Sequence, residues 1–339
     1  MRLIKIYTFI TIFLLLGCEK KDVNNKPVSD TKFILGTFVT INIWADNSRE
    51  LLDGSFDILL DIEKKMSVNI DSSDVSQINL NAGISPVELT NSTLSVIKKG
   101  LYYGDLSNGL FDISIGPLVK LWKIGSGGFE VPDIKDINKR IPLVNYKNIK
   151  IDQNSISMDK GMSIDLGGIA KGYAADIVAE YLVQNGVDSG IINLGGNVKL
   201  IGNKPNGSDF IVGIQNPFDN RNSYLGTIEL KNKSIISSGD YERYFEVDGK
   251  RYHHIINRVS GFPAVTDVSS VTVITDKGID GDALSTIFFQ MDIDSGLELA
   301  KKIGGVYVIY ITKDSKIYLP KEMKENFKLI NTSFSLVFK

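Results

Sequence analysis

Ser163-Ile164-Asp165-Leu166-Gly167-Gly168-Ile169-Ala170-Lys171-Gly172-Tyr173 is the stretch around which the rest of this chain is organised. A short apolar run ends in an aspartate, crosses two glycines and enters a helix expected over 169–184. Ile169, Tyr173, Ile177 and Tyr181 recur every four residues, the spacing of an amphipathic helix, and Gly186 is its stop. Lys171 falls in the first turn, where a cation meets the positive end of the helix dipole and costs stability. Its i±3 and i±4 neighbours are Gly167, Gly168, Ala174 and Ala175, so no side chain on its own helix offsets the charge. Two readings stand. The stretch is a tight strand-to-helix turn with a solvated lysine, or it is a cradle in which bare glycine backbone and free N–H groups hold a phosphate.

Composition narrows the field. A hydrophobic fraction of 43% and a charged fraction of 23% describe an ordinary folded chain. A formal charge of −2 leaves no basic footprint, which argues against nucleic acid as a partner. His253 and His254 are the only histidines, so a multi-histidine metal centre is excluded. Residues 1–17 have a basic start and a short apolar run, the pattern of an export signal. Cys18 follows Leu15-Leu16-Gly17, which resembles a bacterial lipobox; an ordinary signal peptide with an incidental cysteine is the alternative. Cys18 is the only cysteine, so its use as a lipid anchor leaves no thiol, and disulfides, thiolate zinc sites and thiol nucleophiles are then excluded. Residues 18–31 are polar and read as a lipidated tether, and residues 32–339 as the folded body, long enough for two closely packed halves.

Within that body, 32–44 alternates as one strand interrupted at Gly36-Thr37, where a plain bulge is the simple reading. Residues 49–66 and 94–106 have helical patterns. Residues 108–118 have turn signals at both ends and an aspartate, Asp112, that needs a partner among its apolar neighbours. A buried strand at 190–198 ends in the pair Gly195-Gly196, and further strands follow at 210–214, 226–230 and 234–238. Asp248-Gly249 between 244–247 and 250–256 is a strong hairpin signal. After a strand at 269–275, Asp280-Gly281-Asp282-Ala283-Leu284-Ser285-Thr286 opens another helix. Asp282 and Thr286, four residues apart, share one helix face. A carboxylate and a hydroxyl with added water and carbonyl oxygens suit a hard cation such as Mg²⁺; equally, Asp282 is a helix N-cap and Thr286 is filler. No phosphate-binding P-loop, dinucleotide-binding G-x-G-x-x-G or zinc-binding H-E-x-x-H motif occurs.

In order along the chain, Leu35-Gly36-Thr37, residues 109–118 with Trp122, residues 165–173 with Asp176, residues 193–197, 238–241, 252–256 with Ser260-Gly261-Phe262-Pro263, and 282–286 resemble the ApbE-type FAD:protein FMN transferase family. Members of that family are often exported, lipidated or membrane-tethered. The resemblance implies an enzyme that binds FAD with Mg²⁺, splits the pyrophosphate and links FMN to a threonine or serine of an acceptor protein, releasing AMP. It implies Asp282, Thr286 and the Gly168 carbonyl as metal ligands. Asp165 and Lys171 would contact FAD, with Lys171 on the phosphates. Leu35, Leu110, Phe111 and Asp112 fall on flavin-binding positions, and Gly195 and Gly196 allow close approach of the nucleotide. His254 is the implied candidate base, while strand alternation turns His253 to the opposite face, where a solvated role is expected.

The chain departs from the family pattern at Asn257-Arg258, where Asp-Pro is usual, at Ser114, where threonine is common, and at Leu35, where methionine is usual. The expected fold is α+β: mixed, mostly antiparallel sheets with packed helices, and the FAD site between two halves. Three functions remain at this level: an FMN transferase, an FAD pyrophosphatase using water in place of the acceptor, and a non-catalytic flavin-binding lipoprotein. The expected location is a bacterial membrane, at the periplasmic face of the inner membrane or at the cell surface.

Overall fold

The computed structural model describes residues 26–220 and 223–339; the signal segment and Cys18 lie outside them. Its centre is a nine-stranded sheet whose strands lie side by side in chain order. They are Val28–Ile34, Thr37–Ile43, Ser189–Leu194, Asn197–Gly202, Ser234–Gly239, Val268–Thr275, Tyr307–Thr312, Lys316–Leu319 and Ser335–Phe338. Every neighbouring pair is antiparallel except the last, which is parallel. The fold is thus α+β with mostly antiparallel pairing.

Strand alternation builds two cores from one sheet. Val271, Val273, Val308 and Tyr310 point to one face and pack with the helices. Their neighbours Ile274, Ile309 and Ile311 point to the other and pack under a three-stranded sheet made of Phe210–Gln215, Tyr224–Leu230 and Phe327–Leu329. With both faces covered, all eight residues of Val268–Thr275 are buried, and β-branched residues suit such a position. A third, smaller core gathers Leu118, Trp122, Phe245 and Ile256. Trp122 stacks on Tyr252 at 5.7 Å and donates its indole N–H to the Gly261 carbonyl at 2.7 Å. That core seats the hairpin Tyr244–Val247 and Lys250–His253, which turns at Asp248-Gly249 as its sequence predicts.

Two helices cross beneath the sheet. The Ala170–Gln184 helix matches the expected span, but its buried face is Gly172, Ala174, Ala175, Val178, Ala179 and Leu182, while Tyr173, Ile177 and Tyr181 are only half-buried beside it. The small residues win because the Gly278–Gln290 helix lies almost in contact. A Cβ on Gly172 would sit 2.1 Å from the Gly278 carbonyl oxygen, and one on Gly278 would sit 2.6 Å from that of Gly172. Each helix also caps the other. Asp176 accepts from the N–H groups of Gly278 at 2.7 Å and Ile279 at 3.0 Å, and Asp282 accepts from the N–H of Gly172 at 2.9 Å. Free N–H groups in a first turn are the groups a carboxylate satisfies best.

Three expectations are corrected. Residues 32–44 are not one bulged strand: Val28–Ile34 and Thr37–Ile43 form a hairpin around Leu35-Gly36, whose φ values of 56° and 68° make a mirror-image turn. The tether expected to reach residue 31 ends earlier, because Val28, Ser29, Asp30 and Thr31 already pair with the Thr37–Ile43 strand. Asp282 is not an N-cap, since its helix begins at Gly278. Replacing Gly172 by alanine forces the helices apart, and urea denaturation of Gly172→Ala will show a loss of about 1–3 kcal/mol; an unchanged midpoint would remove this contact as a determinant of stability.

Candidate functional site

A cavity of about 1090 Å³ opens over the crossing of the two helices. Its walls bring together residues far apart in the chain: Leu110, Phe111 and Asp112; Asp165, Gly168 and Lys171; Gly195 and Gly196; His254; Asp282 and Thr286. Of the cofactor-binding, metal and base candidates among the described residues, only Leu35 stands apart. Its side chain packs against the main core and its N–H donates to Glu63 Oε1 at 2.8 Å, while Gly36 and Thr37 face the cavity.

Lys171 is not without partners. Its Nζ donates to the Gly167 carbonyl at 2.9 Å and lies 4.0 Å from Asp282 Oδ1. The first of these is backbone of the preceding turn, which a survey of side chains alone overlooks; the second is a carboxylate of the other helix, where the sequence offers a phosphate. Asp282 is buried and held at both oxygens, Oδ2 by Gly172 and Oδ1 by Asn197 Nδ2 at 2.9 Å. Thr286 is one turn further on the same face, and a Cβ on Gly168 would stop 3.6 Å from its Oγ1. No group of three or more His, Cys, Asp or Glu side chains among the described residues is arranged for a metal. The donors here are one carboxylate, one hydroxyl and backbone carbonyls, a hard oxygen set that fits Mg²⁺ completed by water. Bare backbone at Gly168 keeps the approach open.

Asp165 Oδ1 accepts from the N–H of Gly167 at 2.7 Å, which fixes the turn into the helix. Burial pushes its carboxyl up, opposed by that N–H and by the charges of Lys171 and Arg243. Asp112 has the partner its sequence context required. Oδ1 accepts from Ser114 N at 2.8 Å and Ser114 Oγ at 2.6 Å, and Oδ2 from Tyr146 N at 3.2 Å. Burial raises its pKa against those bonds and the Arg258 charge. Leu110 is tied to the Gly278–Gln290 helix by Gln290 Nε2, which donates to its carbonyl at 2.8 Å. Gly195 and Gly196 form a two-residue turn at φ 61° and 104°; a Cβ on Gly195 would strike Thr37 Oγ1 at 2.0 Å.

The two histidines differ sharply. His253 is not solvated as expected: it is buried against Phe289, with Nε2 3.0 Å from the Ala264 carbonyl and Nδ1 accepting from Ile255 N at 3.3 Å. The face opposite the cavity is core here, not solvent. Burial lowers its pKa to about 4. His254 faces the cavity, and its Nδ1 lies 3.3 Å from the Arg243 carbonyl. A carbonyl can only accept, so Nδ1 carries the proton and Nε2 keeps a free lone pair. Loss of solvent, then the Arg243 charge, lower its pKa to about 3, and the ring is neutral at physiological pH.

Sequence reading missed Arg243 and did not foresee Arg258 as a cavity residue. Neither sits in a patterned motif. Arg258 donates Nε to the Gly109 carbonyl at 2.8 Å, across 149 positions of chain.

With this geometry in view, comparison with known proteins is decisive. The family model described as the ApbE family matches residues 35–310. The chain belongs to the ApbE family. Among its relatives is the FAD:protein FMN transferase of Klebsiella pneumoniae (strain 342), 32% identical over 317 residues, covering 93% of this chain and 98% of the relative. The FAD:protein FMN transferase of Treponema pallidum (strain Nichols) is 29% identical over 332 residues, covering 92% and 91%. The crystal structure of the ApbE protein of Thermotoga maritima MSB8 superposes with a TM-score of 0.82 at 30% identity, covering 89% of this chain and 99% of that one. The flavin transferase ApbE of Vibrio cholerae gives 0.76 at 28%, covering 91% and 98%.

The burial of His253 in this ApbE-family chain has a consequence for stability. The folded state keeps the ring neutral down to about 4, while the unfolded chain protonates near 6.5. Protons therefore favour unfolding, and stability falls as pH drops below 6.5, with a slope from this group approaching about 1.4 kcal/mol per pH unit. Denaturation between pH 7 and 5 will show a shallower slope in His253→Gln; an identical slope would refute the assignment.

Proposed function

We propose that this chain is an FAD:protein FMN transferase, a Mg²⁺-dependent enzyme that moves FMN from FAD to a threonine or serine of an acceptor protein. The observation that carries this reading is the convergence of Lys171, Gly168 and the Asp282–Thr286 face in one cavity with His254. The names of its relatives support it.

The acceptor hydroxyl oxygen attacks the phosphorus on the flavin side of the pyrophosphate. A new P–O bond forms as the bridging P–O bond breaks, and the bridging oxygen leaves with the electron pair on AMP. The hydroxyl proton passes to His254 Nε2, the ring nitrogen with the free lone pair. Lys171, whose ammonium already lies beside Asp282, holds phosphate oxygens. Asp282, Thr286 and the Gly168 carbonyl are the groups that would hold Mg²⁺, and Asn197 and the Gly172 N–H keep the carboxylate aimed. When bound, the ion supplies neutralisation of the charge on the leaving phosphate. Leu110, Phe111, Gly195 and Gly196 contact the flavin and nucleotide, and Asp165 a polar edge of FAD.

Incubated with FAD, Mg²⁺ and a flavin-acceptor domain, the chain lacking its signal segment yields a fluorescent protein band in a denaturing gel. Asp282→Ala reduces that transfer at least about a hundredfold. AMP and free FMN with every acceptor would instead make it a pyrophosphatase, and intact FAD would make it a flavin-binding protein only.

In this reading Cys18 carries a lipid anchor that holds the enzyme on a bacterial membrane. Among the described residues no helix is long and apolar enough to cross one. Expressed in a lipoprotein-processing bacterium, the wild-type chain sediments with membranes and Cys18→Ser does not; equal sedimentation of both would sink the anchor.

A further inference from the structure

Arg243 precedes the Tyr244–Val247 strand, and its backbone carbonyl takes both the His254 N–H at 3.1 Å and the His254 ring at 3.3 Å. The base candidate is therefore tied to this residue. The Arg243 side chain lies along the cavity wall. Its stem is seated on Gly125, where a Cβ would come 3.0 Å from Arg243 Cδ at a φ of 78°. The guanidinium makes no hydrogen bond or ion pair with another described residue, unlike Lys171 and Arg258, each of which is partly committed to a backbone carbonyl. A guanidinium held by its stem, with its fork of donors uncommitted, is suited to a tetrahedral phosphoryl group. Its charge is felt at both ends of the site, at Asp165 and at His254.

We infer that Arg243 is a catalytic residue of the transfer, its guanidinium contacting the non-bridging oxygens of the phosphoryl group that passes from AMP to the acceptor hydroxyl. The inference rests on the transferase reading. Lys171 reaches the phosphates from the helix side and Arg243 from the His254 hairpin, so charge developing during transfer is met from two elements. Arg243 is exposed and outside all three cores, so its replacement leaves the fold intact.

The test compares wild type, Arg243→Gln and Arg243→Lys in FAD binding by flavin fluorescence and in acceptor labelling and AMP release. Arg243→Gln lowers kcat on the order of a hundredfold while the FAD dissociation constant stays within about threefold, and Arg243→Lys recovers part of the rate. The acidic limb of its pH profile also moves to higher pH, because a cation that depresses the His254 pKa has gone. An unchanged kcat, or a loss accounted for by weaker FAD binding, would overturn the inference and leave the transferase reading standing. A wild type that neither labels acceptor nor releases AMP would overturn both. Should Arg243→Gln melt early, Arg243→Lys alone decides between the two by its kcat against FAD affinity.

Discussion

Everything in the site depends on two helix backbones meeting at Gly172 and Gly278. Only residues without a Cβ permit that approach, since either added methyl would land within 2.6 Å of a carbonyl oxygen. The approach is what lets Asp176 reach the first N–H groups of the Gly278–Gln290 helix and Asp282 reach the first turn of its partner. Each carboxylate lies where the other helix's dipole is positive, so the interaction compensates burial that would otherwise be costly. Lys199, 3.2 Å from Asp176, completes that side of the pair. One crossing thereby serves as a structural clamp and as the floor of the cavity.

The same crossing explains how a lysine tolerates the first turn of a helix. Lys171 is opposed by the dipole of its own helix but has Asp282 from the other, and the Gly167 carbonyl from the turn before it. Asp282 is in turn shared among Gly172, Asn197 and the lysine. A carboxylate held by neutral donors at both oxygens keeps its geometry whether or not the cation beside it moves.

Much of this was legible in the sequence, for identifiable reasons. The Ala170–Gln184 helix and the Asp248-Gly249 hairpin follow from local periodicity and turn chemistry, and the Asp282–Thr286 pair from i, i+4 spacing. What failed involved contacts between distant segments. Of the apolar stripe, Ile169 is buried while Tyr173, Ile177 and Tyr181 lie only at the edge of the core, because a second backbone rather than a hydrophobic surface meets the helix at Gly172. Gly36-Thr37 reads as a bulge because a two-residue mirror-image turn at Leu35-Gly36, with leucine at φ 56°, is not the expected Asn-Gly or Gly-Gly. His253 read as solvated because alternation separates faces without saying that both are covered. Arg243 carried no local signal at all; only the folded chain shows where its stem rests.

The Asn257-Arg258 departure bears on how the loop from Asn257 to Pro263 keeps its shape. Asn257 Oδ1 accepts from Val259 N at 3.0 Å and Ser260 N at 3.1 Å, the turn-stabilising bonds that an aspartate at this position can also make. Backbone bonds from Gly261 N to Asn257 O and from Asn257 N to Phe262 O, both 2.8 Å, close the loop, and Trp122 holds it from below. Proline would restrict φ at the next position; arginine instead fixes the loop from its far end by bonding Gly109, whose φ of 82° and lack of a Cβ leave room for the guanidinium. Local rigidity has been exchanged for a tie across the cavity. That tie joins the loop directly to the turn carrying Leu110 and Phe111, so in this chain a hydrogen bond links two walls of the cavity.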